Sequence, residues 1–275
     1  MKLMKLDLFR WVKPFALVSA AGLLTTGSVV AQLGPCAVPT GPLRPDLIVD
    51  AALLKAQMIV TQETFGPDSC TVREGCVTAP GTHLVLRFTS STPNIGQTDL
   101  VIGNPSNCGN LFRFSECHQH LHFQEYADYR LWTLSGYNNW VANRNLAQPT
   151  NSGNNALLLA AARESGELIV GRKQGFCVID VAPYKFDDVQ PGPPKYQSCS
   201  QNQGLKVGWA DQYVFLLSCQ FVQMTDVPEG DYVLEDQVNP EQLFPESDYT
   251  NNAAAVKFHF KPKQGRFGPS LIVQD

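Results

Sequence analysis

Three histidines at alternate positions are the residues of this chain best suited to chemistry. His118, His120 and His122 are three of only five histidines in 275 residues. On a strand, alternate residues share one face and lie about 6.6 Å apart along it, so three imidazoles can converge on one ion while the two residues between them face away. This spacing predicts a metal site, which we call the histidine cluster.

The type of ligand indicates which metals and which use. Imidazole suits copper, zinc, iron and nickel, and affinity along the divalent series peaks at copper. A set of three histidines leaves a coordination position open for water, oxygen or substrate, which favours a catalytic metal over a structural one. The alternative is a polar strand face whose histidines contact only solvent. The other two histidines, His83 and His259, are predicted to be structural.

The first residues of the chain are typical of an export signal. Four basic residues within residues 1–13 precede an apolar stretch, Phe15–Leu24, and small residues end at Ala31. The stretch has about ten residues where a bilayer span needs about 20. We predict a signal peptide at residues 1–31 and a secreted, periplasmic or extracellular protein with no membrane anchor. Cleavage would leave 17 basic against 24 acidic residues, a net charge of −7.

Composition indicates one globular unit and excludes some partners. Hydrophobic residues make up 44% and charged residues 17% of the chain, and no linker or repeat divides residues 32–275, which are predicted to form a single domain. With 21 basic and 25 acidic residues and no glycine-rich phosphate loop, the sequence offers nothing for nucleic acid to bind.

Eight cysteines follow the signal peptide, and an even set in an oxidising compartment usually means disulfides. Cys70 and Cys76 could close a short loop. No Cys-x-x-Cys pair is present, which argues against a zinc ribbon or a thioredoxin-like site.

The hydrophobic pattern predicts a mainly β fold with a β-sandwich core, long loops and one or two short helices, linked by disulfides. The helices are predicted at Asp50–Val60 and Asn155–Ser165, and Tyr137–Asn155 is predicted to be a surface loop. The predicted strands are Val256–Lys261, Tyr232–Val238, His83–Phe88, Leu168–Arg172, Phe176–Val181 and Tyr213–Val222.

Several segments occur in the same order in a known family. The histidine cluster and the run Pro245-Glu-Ser-Asp-Tyr-Thr-Asn-Asn252 are each highly specific. The shorter matches are Pro45-Asp-Leu47, Cys70 with Cys76, Leu86-Arg-Phe88, Gly171-Arg-Lys-Gln-Gly-Phe-Cys177, Gln203-Gly-Leu205, Cys219-Gln220, Thr225-Asp-Val227 and Val238-Asn-Pro240. In these features the sequence resembles the catalytic domain of the lysyl oxidases, secreted amine oxidases that use copper and a quinone made from their own side chains.

The resemblance implies roles for five residues. His118, His120 and His122 match the copper ligands of the family, and Lys173 and Tyr213 match the lysine and tyrosine of its cofactor, lysine tyrosylquinone. Without the resemblance the last two would not stand out, because a lysine and a tyrosine on strands are ordinarily a snorkelling charge and a half-buried aromatic.

The residue types fit the implied chemistry. Copper and oxygen can oxidise a phenol to a quinone, and the amine of Lys173 can add to the ring once desolvation lowers its pKa from about 10.4. The carbonyl then takes a substrate amine and accepts its electrons. Asp128 is the predicted general base, at or next to a position where the animal enzymes carry a histidine. The alternative for Asp128 is a solvated carboxylate near Arg130.

The resemblance also implies a calcium ion that ties the two ends of the domain together. The matching positions offer hard oxygen ligands of the kind calcium prefers. They are Asp46, Leu47 through its carbonyl, Glu246, Asp248, Asn251 and Asn252. The alternative is a capped turn rich in Asp and Asn.

Disulfide pairing follows from the resemblance only in part. It implies two bridges, Cys70 with Cys76 and Cys117 with Cys199. Cys177 and Cys219 match family cysteines whose partners are missing here. They could pair with each other or with the two remaining cysteines, Cys36 and Cys108.

The leading hypothesis is an exported copper amine oxidase. It would use dioxygen to convert primary amines, with lysine side chains of peptides as one candidate class, to aldehydes, ammonia and hydrogen peroxide. One alternative is an exported copper-binding protein of the same fold without amine oxidase activity. Another is a zinc hydrolase, which is disfavoured because no metal-binding helix motif and no obvious partner acid accompany the histidines.

Overall fold

A computed structural model describes residues 41–109, 111–144, 167–171, 173, 175–262 and 268–274. The predicted signal peptide and the predicted helix Asn155–Ser165 lie outside these residues. Within them, no helix is long and apolar enough to cross a membrane.

The described residues contain three helices, α1 (Ala51–Ala56), α2 (Cys70–Arg73) and α3 (Leu134–Arg144). The predicted helix at Asp50–Val60 is confirmed but shorter: Asp50 caps it by accepting the Leu53 amide at 3.0 Å, and a strand begins at Ile59. α3 corrects the prediction that Tyr137–Asn155 is wholly a loop.

The strands are short, and all of their pairings are antiparallel. They are β1 (Ile59–Phe65), β2 (Gly81–Arg87), β3 (Ser90–Pro93), β4 (Leu100–Gly103), β5 (Phe112–Ser115), β6 (His120–Gln124), β7 (Ala127–Thr133), β8 (Glu167–Val170), β9 (Gly175–Phe176), β10 (Ala182–Pro183), β11 (Gln203–Leu205), β12 (Trp209–Tyr213), β13 (Phe221–Gln223), β14 (Gly230–Val238), β15 (Ala253–Lys261) and β16 (Ser270–Val273).

The strands form five small sheets. The largest has the order β16-β15-β14-β7-β8, and three sheets of three strands have the orders β1-β2-β13, β10-β12-β3 and β5-β6-β9; β11 pairs with β4. The fold class predicted from the sequence, mainly β with disulfide links, is therefore confirmed.

The large sheet follows the predicted alternation closely. In β15, Ala254, Val256, Phe258 and Phe260 are buried while the residues between them are exposed or half-buried. The neighbouring strand β14 pairs along its length with both β15 and β7. This sheet supplies much of the main core, because the buried face of one strand packs beside that of the next.

α3 packs on the same sheet through aromatic contacts. The Trp132 and Trp140 rings stack with centroids 5.6 Å apart. Both indole N–H groups donate to the buried Glu235 carboxylate, at 3.0 and 3.1 Å. The helix is therefore stabilised by tertiary contacts, which override its weak local preference.

One predicted strand, Tyr213–Val222, is wrong in its middle. β12 ends at Tyr213, and a turn precedes β13, with Leu216 74% exposed. Arg87 holds this turn, because its guanidinium donates to the carbonyls of Phe215 at 2.7 Å and Leu217 at 3.0 Å. Side chains that favour strands do not form one here, since no strand of the described residues pairs with them.

The disulfides differ from the predicted pairs. The bridges are Cys70–Cys117, Cys76–Cys219 and Cys177–Cys199, with Cα–Cα distances of 5.6, 5.5 and 5.3 Å. Cys108 is also disulfide-bonded. Two predicted bridges are therefore wrong, Cys70–Cys76 and Cys117–Cys199, and so is the possible pairing of Cys177 with Cys219. The path of the chain brings each of these cysteines to a different partner.

Candidate metal and cofactor site

The three imidazoles of the histidine cluster converge, although not from one strand. His120 and His122 are alternate residues of β6, whereas His118 lies in the turn between β5 and β6. The ring centroids are 4.8 to 5.7 Å apart, and the candidate ligand nitrogens all lie within 4.8 Å of one another. The prediction that all three line one strand is therefore wrong for His118.

The turn brings His118 to the others. Gln119 has a φ of 57°, in the left-handed region, and its amide donates to the Ser115 carbonyl at 2.8 Å. The His118 amide donates to the Ser115 hydroxyl at 3.1 Å. The Cys70–Cys117 disulfide links the same turn to α2.

The distances fit a shared metal ion. The Nε2 atoms of His120 and His122 are 3.0 Å apart. Two nitrogens bound to one ion at about 2.0–2.1 Å and roughly at right angles are separated by about 3 Å. His118 Nε2 also lies 3.4 Å from the Glu74 carboxylate, which places one acid beside the cluster.

Burial favours the neutral form of His120 and His122. Burial, together with the charges of Lys173 and the other two histidines, lowers the pKa of His122 to about 3. Burial also lowers the pKa of His120. Because a metal binds the neutral imidazole, the cluster is ready to act as a ligand set near neutral pH.

Lys173 is brought to the same place. Its side chain is 7% exposed, and its Nζ lies 4.8 Å from the centroid of the Tyr213 ring and 5.2 Å from that of Phe176. Burial lowers the pKa of Lys173, although the negative charges of Glu74 and Asp211 oppose this effect. The amine is thus held against the aromatic ring to which the resemblance would join it.

Tyr213 is the last residue of β12, and hydrogen bonds and packing hold its ring in place. Its hydroxyl accepts the Cys177 amide at 2.8 Å and donates to the Cys177 carbonyl at 3.0 Å. Phe176 meets the ring edge to face, with centroids 5.1 Å apart. Burial raises the pKa of Tyr213 well above its usual value, and the charge of Asp211 adds to the shift.

A cavity of about 530 Å³ opens on the site. His122, Lys173 and Gly175 form part of its wall. The residues on its remaining walls are of mixed type, acidic, basic and aromatic: Arg73, Glu74, Arg113, Phe114, Ser115, Glu116 and Gln124, with Cys76, Cys117 and Cys219. The cavity therefore gives a ligand access to both the histidines and the lysine.

Gly175 allows the lysine segment to approach β6. A Cβ at this position would lie 3.0 Å from both Cβ and Nδ1 of His122 and 3.1 Å from the Gln124 amide nitrogen. Such contacts are tighter than side chains normally make, so only glycine fits without displacing the histidine.

Asp128, the predicted general base, lies elsewhere. It is 8% exposed on β7, paired with Gln237 across the sheet, and forms an ion pair with Arg130. It is not among the residues that line the cavity.

A second carboxylate, which the sequence reasoning missed, acts electrostatically on Lys173 and Tyr213. Asp211 precedes Tyr213 by two positions on β12 and is 1% exposed. Its charge acts on both Lys173 and Tyr213. Its spacing of two from Tyr213, which places both residues on one strand face, is the signal that could have found it.

The predicted calcium ligands also come together, with one exception. The Asn251 side-chain amide donates to Asp46 at 2.9 Å, that of Asn252 donates to Glu246 at 2.6 Å, and the Leu47 backbone amide donates to Glu246 at 2.5 Å. Asp248 instead accepts from the Thr250 hydroxyl and amide, both at 2.7 Å.

Orphaned oxygens at this second site fit a cation. The side-chain carbonyls of Asn251 and Asn252 are buried, and neither has a hydrogen-bond partner among the described residues. Burial raises the pKa of Glu246 to about 7. A hard cation would satisfy the two carbonyls and favour the ionised carboxylate.

Comparison with known proteins places these features in a family. A family model described as lysyl oxidase matches residues 45–145 and 159–267. The match includes the histidine cluster, both cofactor positions and the candidate calcium ligands.

Individual relatives are distant in sequence. Lysyl oxidase homolog 2 of Bos taurus is 28% identical over 219 residues, which cover 76% of this chain and 23% of that protein. The Rattus norvegicus protein of the same name is 27% identical with the same coverage. Protein-lysine 6-oxidase of Gallus gallus is 27% identical over 219 residues, 76% of this chain and 43% of that protein. The chain thus spans less than half the length of these relatives.

Proposed function

The chain belongs to the lysyl oxidase family, and from this premise we propose that it is an exported copper-dependent amine oxidase. Its substrates would be primary amines, and its cofactor would be lysine tyrosylquinone made from Lys173 and Tyr213. The observation that carries the proposal is the 4.8 Å between Lys173 Nζ and the centroid of the Tyr213 ring. Lys173 is buried beside the half-buried Tyr213, 40 positions away, and it shares a cavity with His122 of the histidine cluster.

Copper is the metal that we propose for the histidine cluster. Three imidazoles with ligand nitrogens within 4.8 Å of one another are a donor set that copper prefers. His118, His120 and His122 would hold the ion and leave a position open. When bound, copper with dioxygen would oxidise the Tyr213 ring, and the resulting quinone would accept electrons from an amine.

The protein's own residues would position the reacting groups and exclude water from them. The Cys177 backbone fixes the Tyr213 hydroxyl through two hydrogen bonds, and Phe176 packs against both the ring and the Lys173 amine. Burial lowers the pKa of Lys173, which favours the neutral amine needed for bond formation. Reacting groups held in this way need little reorganisation.

The cavity supports a small amine or an amine on a flexible chain as substrate. Its volume of about 530 Å³ exceeds what a lysine side chain fills, and Phe114, which is 52% exposed, offers an apolar surface at its wall. Lysine side chains of peptides are one class that such an opening would admit. Asp128 stays the general base predicted from the sequence.

Calcium is proposed for the second site. Asp46, Glu246, Asn251 and Asn252 would bind it, with the Leu47 carbonyl and Asp248 completing the predicted set. The two orphaned asparagine oxygens support this assignment. The ion would tie the segment before α1 to the segment before β15.

Export is proposed from the predicted signal peptide and from the cysteines. Three disulfides join described segments, and such bonds persist in oxidising compartments.

The test uses the full chain, expressed with export and loaded with copper. A tryptic digest analysed by mass spectrometry should contain a crosslinked peptide pair that joins Lys173 to Tyr213. The protein should absorb visible light and release hydrogen peroxide when a primary amine is added. Tyr213→Phe should abolish the crosslink, the colour and the peroxide, while copper stays bound.

A different result would favour the alternative. A colourless copper protein, with Tyr213 unmodified after exposure to oxygen, would contradict the oxidase. It would indicate an exported copper-binding protein that keeps the family fold.

A further inference from the structure

We propose that Asp211 is the residue that holds Lys173 beside Tyr213 and takes its proton when the two are joined. The inference rests on the proposed function, because it concerns how the cofactor is assembled. It adds a positioning residue that neither the histidine cluster nor the predicted base Asp128 supplies.

The placement of Asp211 is the first observation. Asp211 and Tyr213 alternate on β12, which pairs with β3 so that Asp211 lies opposite Thr92 and Tyr213 opposite Ser90. Because alternate residues share a strand face, the carboxylate and the phenol point to the same side. Lys173 packs over the phenol ring on that side.

The second observation is that the buried Asp211 carboxylate has no hydrogen-bond partner among the described residues. Asp211 is 1% exposed, and neither of its oxygens makes a hydrogen bond with correct geometry to any described residue. The backbone amides of Ile179 and Gln212 lie near enough to favour its charge. A buried acid normally has partners, so one without them calls for an explanation.

Asp180 shows what a structural buried acid looks like in this protein. Its carboxylate accepts three backbone amides, from Lys195 at 2.7 Å, Tyr196 at 3.0 Å and Lys206 at 2.8 Å. Asp180 therefore organises a loop. Asp211 has no comparable set of backbone amides.

The mutual effect of charges is the third observation. Among the residues that the structure describes, Lys173 is the cation whose charge favours the ionised form of Asp211, and Asp211 in turn favours the ammonium of Lys173. Lys173 can also extend into the cavity that it lines. Burial raises the pKa of Asp211 well above its usual value, which suits its carboxylate to accept a proton. While it is ionised, it attracts the ammonium of Lys173 strongly because water is excluded.

The proton transfer follows from this arrangement. To bond to the oxidised ring of Tyr213, the nitrogen of Lys173 must offer an electron pair. One Nζ–H bond of the ammonium breaks, the proton passes to a carboxylate oxygen of Asp211, and the freed electron pair forms the bond to a ring carbon. The ring double bond that opens places its electrons on a quinone oxygen. One further proton from the nitrogen and one from the ring carbon move to the two quinone oxygens, which leaves the joined ring in its reduced form. Dioxygen is the oxidant, reduced to water when the ring is first oxidised and to hydrogen peroxide when the joined ring is reoxidised.

The experiment measures crosslink formation, with no amine substrate present. Metal-free full-length protein is given copper and air, and the fraction of crosslinked Lys173–Tyr213 peptide is followed by mass spectrometry. We expect Asp211→Asn to slow crosslinking about 100-fold, the size of a lost general base. Copper binding should remain at one ion per chain.

Asp236→Asn is the matched control. Asp236 is also fully buried, and its oxygens also lack partners among the described residues. Its charge is not among those that act on Lys173 or Tyr213. This variant should crosslink at the wild-type rate, so a general effect of removing a buried acid would be exposed.

A second variant separates chemistry from structure. In Asp211→Ala, added formate should restore crosslinking, because a small carboxylate can enter the space left by the side chain. A residue needed only for folding would not respond to formate. This arm also decides the question if Asp211→Asn does not accumulate.

The outcomes are distinct. Wild-type crosslinking with an equally fast Asp211→Asn variant would overturn this inference, because burial alone would then deprotonate Lys173, and the proposed function would stand. No crosslink in wild-type protein would overturn both. Loss in Asp128→Asn with normal crosslinking in Asp211→Asn would assign the role to Asp128 instead.

Discussion

Replacing Asp236 by asparagine should change how stability depends on pH. Asp236 lies in the middle of β14, opposite Tyr129 and Ala254, and is fully buried. Burial raises its pKa from 3.8 to about 7, although the nearby Ser90 hydroxyl favours the charged form without correct hydrogen-bond geometry. The folded protein therefore holds this proton over a pH range in which the unfolded chain has lost it.

The raised pKa fixes the sign of the effect. Below pH 3.8 the acid is neutral in both states and costs nothing. As pH rises towards 7 the unfolded state ionises first, so the free energy of unfolding falls. A shift of roughly three pKa units corresponds to a loss of about 4 kcal/mol that is complete above pH 7.

The asparagine variant lacks this titration. It carries an unpartnered amide, whose cost of about 1–3 kcal/mol does not depend on pH. The stability of the variant relative to wild type should therefore rise by about 2–3 kcal/mol between pH 5 and pH 8.

Urea unfolding at several pH values, with disulfides intact and chelator present, measures this difference. Two unfolding curves whose midpoints change in parallel with pH would refute the reasoning. They would mean that the carboxylate is solvated or hydrogen-bonded in the folded protein.

Three further predictions concern the sites and the turn beside them. Gly175→Ala should displace His122 and so weaken copper binding about tenfold or more, as measured by competition with a chelator. The control Gly66→Ala should leave copper binding unchanged, because no atom lies within 4 Å of a Cβ at that position. Calcium at 100 times its Kd should stabilise wild-type protein by about 2.7 kcal/mol, and Asn251→Ala should remove most of this gain in a calcium titration of the unfolding midpoint. Arg87→Gln should free the exposed turn whose two carbonyls it binds, which should speed limited proteolysis there; an unchanged cleavage rate would show that the turn is held by other contacts.

The histidine cluster shows how far sequence reasoning reaches. The spacing of the histidines at alternate positions predicted that three imidazoles would converge, and they do. The spacing could not show that His118 belongs to a turn. This turn depends on a left-handed φ at Gln119, and glutamine rarely adopts that conformation. Convergence was predictable from spacing, whereas the backbone route was not.

Other differences have similar physical causes. The residues after Tyr213 favour strands locally but lack a partner strand, so they form a turn with Leu216 exposed. α3 lies in a segment rich in Asn and Gly, and its helix depends on Trp140 reaching Trp132 and Glu235. Such contacts join distant parts of the chain and leave no local signal.

The cysteine pairing and the role of Asp211 were hidden for the same reason. Which cysteines meet depends on the path of the whole chain, and eight cysteines allow 105 pairings. Asp211 stands out only once burial and the absence of partners are known.

The three disulfides imply an order of events in maturation. Cys117 adjoins His118, Cys177 binds the Tyr213 hydroxyl through its backbone, and Cys219 closes the turn that begins after Tyr213. Under the proposed function, these disulfides would hold the segments that carry the histidine cluster, Lys173 and Tyr213. In a reducing cytosol the disulfides would not form, and the histidines and Tyr213 would not be held in position. Thiol oxidation would therefore come first, metal binding second and formation of the proposed cofactor last.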